Sequence, residues 1–220
     1  MAFVNHKRGL MFVHIPKNAG TALGNMLEAS PEWKVFSDHG RKENEGHLCL
    51  HLKGGELGHN KADYWLSRPG LSDLTPVAII RNPWDRALSL YLFNLEKSAE
   101  NLDQDWAVGS HVRLVREGFK TSWMPGGYFV DNHGRQWEYN TETGRAWAQN
   151  DSQSSWITQD TKVFRMEDQL EEACDVLGIA LPKKANATSH VWYRYYYDDE
   201  LKEQIATLFQ SDIKLGGYTF

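Results

Sequence analysis

Residues 10–29 read LMFVHIPKNAGTALGNMLEA, so that an apolar run, a polar turn and a helical pattern follow one another directly. The run from Leu10 to Ile15 has the length and the apolar, partly β-branched composition of a buried strand. The turn from Pro16 to Gly20 contains the two residues that most often interrupt regular structure, and a helical pattern follows from Thr21. The stretch therefore predicts one strand–turn–helix unit.

The same order of features occurs twice more along the chain. One further unit spans residues 76–96, and the other spans residues 161–177, where Gly178 ends the helical pattern. Short apolar strands that alternate with helices are typical of a parallel sheet with helices packed on it. The sequence therefore predicts an α/β fold of three layers, in which helices cover both faces of a parallel sheet.

The length of the chain, 220 residues, suffices for one well-buried α/β core and is short for two full domains. We therefore expect a single domain over residues 1–220. Residues 97–156 lack a long apolar period and predict an irregular excursion between the second and third units. Long loops at the carboxyl edge of a parallel sheet commonly shape the substrate site, so we expect that role for this excursion. Apolar spacing over residues 198–209 predicts an amphipathic closing helix.

The charge and the cysteines exclude several classes of protein. The formal net charge is −5, whereas proteins that bind nucleic acid along their surface carry a basic excess. Cys49 and Cys174 form no CxxC pair and predict neither a disulfide framework nor a zinc cluster. The sequence shows no signal pattern and no apolar stretch near the roughly 20 residues of a membrane span. We expect a cytoplasmic protein that has no nucleic-acid partner, and whose anion site is local.

The first turn has the features of a site for phosphate or sulfate. The N–H groups at the start of a helix are unpaired and carry partial positive charge, and Gly20 permits close approach of the backbone. Lys17 adds a cation, and the Thr21 hydroxyl can cap the helix or bind an oxyanion. A plain turn built around Pro16 and Gly20 is the structural alternative. The order differs from that of a Walker loop, where Lys and Ser or Thr follow the last Gly, so an ATP-hydrolysing P-loop protein is disfavoured.

The second turn offers groups for another phosphate. Arg81 follows the strand that ends at Ile80, and its planar guanidinium is suited to fork onto a phosphate. Ser89 lies eight residues later, within the first turns of the predicted helix, where its hydroxyl would reach the same anion. We expect Asp85 and Arg86 to form a salt bridge that holds the turn.

Together the two turns resemble the sulfotransferases that use 3′-phosphoadenosine 5′-phosphosulfate (PAPS), in the branch of carbohydrate sulfotransferases and their bacterial relatives. Residues 14–21, HIPKNAGT, resemble the first signature of that family, and residues 77–91, VAIIRNPWDRALSLY, resemble the second. The resemblance implies a P-loop-NTPase-like sulfotransferase fold and PAPS as the sulfuryl donor. It implies that Arg81 and Ser89 hold the 3′-phosphate, and that the 5′-phosphosulfate is held by Pro16, Lys17, Asn18, Ala19, Gly20 and Thr21.

Weaker similarities follow later in the chain. Residues 153–157 resemble a short Gln-containing segment of the family, residues 163–167 resemble its third strand, and residues 212–218 resemble its ending. Two positions depart from the pattern, since Ala19 and Ala22 stand where many members carry Gly and Ser. Ala22 removes a hydroxyl that would help to bind phosphate.

Sulfuryl transfer needs charge stabilisation on the leaving phosphate and an acceptor for a proton. Lys17 is the candidate for the first task, and no metal is required because Lys and backbone amides neutralise the leaving group. His51 is the candidate general base, because relatives place a His between the two turns and an imidazole suits this task. Glu56 is the reserve candidate, and a loop hydrogen bond is the structural interpretation of His51.

A metal site is disfavoured by the arrangement of the histidines. His47 and His51 have the i,i+4 spacing that binds zinc from one helix face. No acidic third ligand stands at a defined spacing, however, and Gly54 and Gly55 weaken the helix on which the pair would lie.

Two other functions share some of these features. A nucleotide or small-molecule kinase would use a similar sheet and cradle, but the sequence shows no carboxylate for Mg²⁺ paired with the first turn. A catalytically silent nucleotide-binding module would not need Lys17. For the leading function, the Trp- and Asn-containing excursion predicts a hydroxyl-bearing acceptor: a glycan, a glycolipid or a small molecule.

Overall fold

The computed structural model describes residues 2–36, 60–101, 118–120, 122–123, 128–130, 136–138, 151–182 and 192–220. The chain divides into two compact units. The first comprises Met1–Arg81 and Gln153–Asn186, and the second comprises Asn82–Ser152 and Ala187–Phe220. The single domain expected from the length stays a prediction.

Short strands and helices alternate along much of the described chain. The strands are β1 (Ala2–Asn5), β2 (Leu10–Val13), β3 (Lys34–Phe36), β4 (Thr75–Ile80), β5 (Tyr128–Val130), β6 (Gln136–Glu138) and β7 (Lys162–Arg165). The helices are α1 (Gly20–Glu28), α2 (Ala62–Leu66), α3 (Pro83–Asn101), α4 (Leu170–Leu177), α5 (Asp199–Leu208) and α6 (Gln210–Gly216). Residues 118–120 and 122–123 are also helical, and 3₁₀ turns lie at Gln153–Trp156 and Tyr193–Tyr196.

The first unit is built on a five-stranded mixed sheet with the order β3-β1-β2-β4-β7. Strands β2, β4 and β7 are parallel, as the three strand–turn–helix units predict. The expectation of a wholly parallel sheet is wrong, because β1 is antiparallel to both β2 and β3. The reason is the short turn of residues 6–9, which joins β1 to β2 as a hairpin, whereas parallel strands need a long crossover.

Apolar clusters that contain helix residues lie on both faces of this sheet. On one face, α1 and α4 cover an apolar cluster that includes Phe3, Phe12, Val77 and Phe164. On the other face, Trp65 of α2 packs in a second cluster with the alternate residues of β1 and β2, namely Ala2, Val4, Met11 and Val13. Successive strand residues point to opposite faces, so this alternation fixes the register of the sheet.

The helix boundaries of the first unit follow local signals. Helix α1 begins at Gly20, one residue before the predicted start, and α4 ends at Leu177 as predicted. Gly178 adopts a φ of 69°, in the left-handed region that glycine occupies without steric cost. Its N–H donates to the Asp175 carbonyl, and the Ile179 N–H donates to the Cys174 carbonyl. These bonds satisfy carbonyls at the end of α4.

The second unit is built around α3. Asn82 caps this helix, because its Oδ1 accepts the N–H groups of Trp84 at 3.1 Å and Asp85 at 3.4 Å. Helix α3 packs in an aromatic cluster that includes residues of the 3₁₀ turn Tyr193–Tyr196, of α5 and of the chain end at Phe220. The predicted closing helix is confirmed as α5, whose cap is Asp198.

Other predictions concern this second unit. Arg86 is buried and its Nη1 donates to the Asp151 carbonyl at 3.1 Å, whereas its pairing with Asp85 stays a prediction. Much of the excursion at 97–156 lies outside the described residues, and its described part includes the hairpin of β5 and β6.

Among the helices that the structure describes, none has the length and apolar character to cross a membrane.

Candidate functional site

The turn between β2 and α1 holds two residues in an uncommon backbone conformation. Lys17 has a φ of 69° and Ala19 a φ of 58°, both in the left-handed region. For a residue with a side chain this conformation costs roughly 1–2 kcal/mol, and such strain concentrates at functional sites. The φ of Asn18, between them, is not positive. Backbone that changes hand from residue to residue turns successive N–H groups toward one concave side, which is the geometry of an anion-binding nest.

The start of α1 adds positive potential to this turn. Ala19 is the N-cap residue and supplies no side-chain cap, and no acidic residue lies in the first turn of the helix. The first intrahelical bond runs from Leu23 N to the Ala19 carbonyl at 3.1 Å. The N–H groups before Leu23 therefore have no partner within the helix, and the positive end of the helix dipole lies at the turn. The Thr21 side chain is exposed there.

Gly20, the first residue of α1, lies directly against a side chain. A Cβ atom at this position would lie 1.9 Å from Cδ2 of His14 and 2.0 Å from its Nε2. The imidazole of His14, which follows β2, thus occupies the space beside the helix start. Any side chain at position 20 would displace either the ring or the helix.

The second turn meets the first through Arg81. Arg81 follows β4, which is the parallel neighbour of β2, and its Nη1 donates to the Lys17 carbonyl at 3.1 Å. Parallel neighbouring strands end at the same edge of a sheet, so the residues that follow them meet there. The structure therefore brings together two of the predicted site residues, because the Arg81 guanidinium contacts the strained backbone of Lys17.

Gln153 joins the two turns through its side chain. This side chain is 0% exposed, and its Oε1 accepts the Arg81 N–H at 2.8 Å and the Asn18 Nδ2 at 2.6 Å. Its Nε2 donates to the Arg81 carbonyl at 2.8 Å. Sequence reasoning noted only that a Gln-containing segment lies at this position, and it missed this role.

The remaining predicted nucleotide-binding residues take different positions. Asn18 is 1% exposed and its amide also donates to the Ile79 carbonyl at 2.8 Å, so we expect any nucleotide contact of Asn18 to be made by its backbone. Pro16 is buried, and Ala19 is half-buried. Ser89 belongs to the second unit, in α3, and is 4% exposed.

The predicted general bases are not among the residues that the structure describes. His51 and Glu56 lie outside the described residues. His47, the other member of the i,i+4 histidine pair, also lies outside them. Within the described ranges, no three or more His, Cys, Asp and Glu side chains are grouped as metal ligands.

Cys174 does not have the character of a nucleophile. It packs in the cluster under α4, and burial raises the pKa of its thiol, an effect to which the charges of Asp175 and Glu171 add. A reactive cysteine needs the opposite shift, toward the thiolate. The thiol therefore serves packing.

Comparison with known proteins identifies a family. A family model described as Sulfotransferase family matches residues 1–219 of the chain. The comparisons with curated proteins and with solved structures gave no match.

Proposed function

This chain belongs to the sulfotransferase family, and we propose that it transfers a sulfuryl group from PAPS to the hydroxyl of an acceptor. Membership of the family supports a transferase activity. Our choice of PAPS as the donor rests on the two turns that follow β2 and β4. The strained turn at Lys17 and Ala19 supplies backbone N–H groups and the positive end of α1. An anion such as a phosphosulfate suits both features.

The single observation that carries the proposal is the hydrogen bond of Arg81 Nη1 with the Lys17 carbonyl, at 3.1 Å. It brings the cationic guanidinium beside a turn that is itself suited to an anion. A donor with separate 5′ and 3′ anionic groups needs two adjacent cationic sites, and a simple 5′-nucleotide does not. The resemblance adds Ser89 to Arg81 as a ligand of the 3′-phosphate.

The reaction asks particular tasks of these residues. When bound, the donor supplies the sulfuryl group, which forms a bond to the acceptor oxygen as its bond to the 5′-phosphate breaks. Lys17 stabilises the negative charge that develops on the leaving phosphate, together with backbone N–H groups of the turn. We propose His51 as the base that takes the proton of the acceptor hydroxyl, with Glu56 as the reserve. No metal is needed for these tasks.

The acceptor that we propose is a glycan, a glycolipid or a small molecule with a free hydroxyl. A net charge of −5 disfavours a long polyanionic acceptor, which would be repelled by an acidic surface.

Calorimetric titration with adenosine 3′,5′-bisphosphate tests the proposal, with 5′-AMP and ATP compared in the presence and absence of Mg²⁺. We expect binding without metal that requires the 3′-phosphate. Arg81→Ala should weaken it roughly 10–100-fold, the value of one hydrogen bond to a charged group.

The matched control is Arg8→Ala, which removes the same side chain from the turn at the opposite end of β2. We expect it to leave the affinity unchanged. Binding of ATP with Mg²⁺ in preference to the bisphosphate would contradict the proposal and favour a kinase.

A further inference from the structure

The side chain of Gln153 makes three hydrogen bonds to residues that are distant from it in the sequence. The side-chain oxygen accepts from Arg81 N and Asn18 Nδ2, and the side-chain nitrogen donates to the Arg81 carbonyl. All three distances lie between 2.6 and 2.8 Å, and the side chain is wholly buried. A buried carboxamide that uses both its donor and its acceptor fixes the groups around it.

The pair of bonds to Arg81 resembles the pairing within a sheet. One residue gives its N–H and its carbonyl to the same partner, as it would to a neighbouring antiparallel strand. Strand β4 ends at Ile80, whose carbonyl accepts from Met166 N at 2.7 Å. The carboxamide of Gln153 therefore continues the hydrogen bonding of the sheet for one residue beyond β4, and it determines the backbone from which the Arg81 guanidinium projects.

The bond to Asn18 holds the first turn to the same point. Asn18 lies between the two left-handed residues, and its amide is shared between Gln153 and the Ile79 carbonyl. Strained backbone persists only where its surroundings determine it. Anchoring of Asn18 to β4 supplies such a determinant, and one carboxamide thus contacts both turns.

We propose that Gln153 is a positioning residue for nucleotide binding, which sets Arg81 at a fixed distance from the turn that contains Lys17. This inference rests on the proposed function, because it assumes that Arg81 binds the 3′-phosphate. Gln153 does not touch the nucleotide and acts through Arg81 and Asn18. This task needs a carboxamide. An ionised carboxylate cannot donate to the Arg81 carbonyl, and an aliphatic side chain can neither donate nor accept a hydrogen bond.

The ratio of affinities for adenosine 3′,5′-bisphosphate and 5′-AMP isolates the contribution of the 3′-phosphate. We expect Gln153→Met, which keeps the length of the side chain, to lower this ratio roughly tenfold or more, as removal of an orienting partner commonly does. In Arg81→Ala the same Gln153→Met change should lower the ratio no further, because both changes act on one contact. A Gln153→Met protein with the wild-type ratio would overturn the inference.

Leu177→Ala is the matched control for stability. Leu177 is a buried residue of α4 and belongs to neither turn, so the change should lower the melting temperature and leave the ratio of affinities as it is. If Leu177→Ala lowers the ratio as strongly as Gln153→Met does at an equal fall in melting temperature, a general loss of stability explains the effect and the inference is wrong.

Gln153→Glu provides a second test, which decides alone if Gln153→Met does not fold. The ionised carboxylate faces the Arg81 carbonyl with no proton to donate, whereas the protonated acid donates as the amide does. Burial raises the pKa of such a carboxyl group, so protonation falls within an accessible range. Relative to wild type at each pH, the ratio for Gln153→Glu should recover as the pH falls from about 8 to about 5.5, across the raised pKa. A ratio equal to that of wild type at pH 8, where the carboxylate is ionised, would overturn the inference.

Failure of the inference differs from failure of the proposed function. If the wild-type protein binds the bisphosphate no better than 5′-AMP, both are overturned. If the wild type requires the 3′-phosphate and Arg81→Ala removes that requirement while Gln153→Met does not, only the inference fails.

Discussion

Strand β2 is flanked by two turns that both contain left-handed backbone, but on different types of residue. The turn before it, residues 6–9, places its left-handed conformation on Gly9, with a φ of 65°. The turn after it, residues 16–19, places the same conformation on Lys17 and Ala19. Glycine adopts this backbone without a steric cost, whereas residues with a Cβ do not. The first turn is therefore relaxed and the second is strained, as we expect if the second holds the shape that the proposed nucleotide site needs.

Each of the two turns also carries a lysine, Lys7 in the first and Lys17 in the second. We expect the largest effect on activity to distinguish these two lysines. Lys17→Ala should lower kcat roughly 10²–10³-fold, the usual effect of losing one donor that stabilises developing charge, with a smaller change in bisphosphate affinity. Lys7→Ala is the matched change in the relaxed turn. Lys7 is 80% exposed and pairs with Glu32 at 2.8 Å, so its loss should leave kcat unchanged.

Single-turnover and steady-state kinetics with a sulfuryl acceptor would check this pair. If Lys17→Ala weakened bisphosphate binding and left kcat intact, Lys17 would be a binding residue and its assignment to the chemical step would be wrong.

A smaller effect concerns the packing that holds the strained turn. Gly20→Ala would place a Cβ within 2 Å of the His14 ring, and displacement of the ring should cost about 1–3 kcal/mol of unfolding free energy. Asn25→Ala, on an exposed position of the same helix, should be neutral or slightly stabilising because Ala favours helix.

Urea unfolding of both variants measures the difference between them. Equal stabilities for Gly20→Ala and Asn25→Ala would mean that the His14 ring moves aside at no cost, and that Gly20 serves only the turn.

Local patterns predicted the part of the fold that lies in continuous segments. The strand–turn–helix order predicted β2, β4 and β7 with the helices that follow them, and Gly178 marked the end of α4. Parallel pairing of these strands also explains why Lys17 and Arg81 meet, since both follow strand ends at one edge. Strand β1 was missed because its four residues stand alone before a turn, with no helix to complete the pattern.

The role of Gln153 could not be predicted because its contacts are distant in sequence. It lies 72 residues from Arg81 and 135 from Asn18, and no periodicity connects positions so far apart. The strain at Lys17 and Ala19 also escaped prediction, because a left-handed backbone is signalled in sequence mainly by glycine. Both features depend on tertiary contacts, and both concern the site.

The smallest effect tests the comparison of the two turns directly, by exchanging their residue types. Ala19→Gly removes the steric cost of a left-handed Ala, roughly 1–2 kcal/mol, and adds back about 0.4–1 kcal/mol for the greater freedom of the unfolded chain. We expect a net gain of about 0.5–1 kcal/mol in stability. Gly9→Ala makes the reverse change at a φ of 65° with open space around the position, so it should lose a similar amount.

Thermal and urea unfolding of Ala19→Gly and Gly9→Ala would give the sign of each change in unfolding free energy. Opposite signs of similar size would show that the turn at Ala19 stores strain which glycine releases. A loss of stability in Ala19→Gly would mean that contacts of the Ala19 methyl group outweigh the strain. In the first case nucleotide affinity decides what the strain is for: if the glycine variant is more stable but binds adenosine 3′,5′-bisphosphate more weakly, the left-handed alanine restricts the turn to its binding shape.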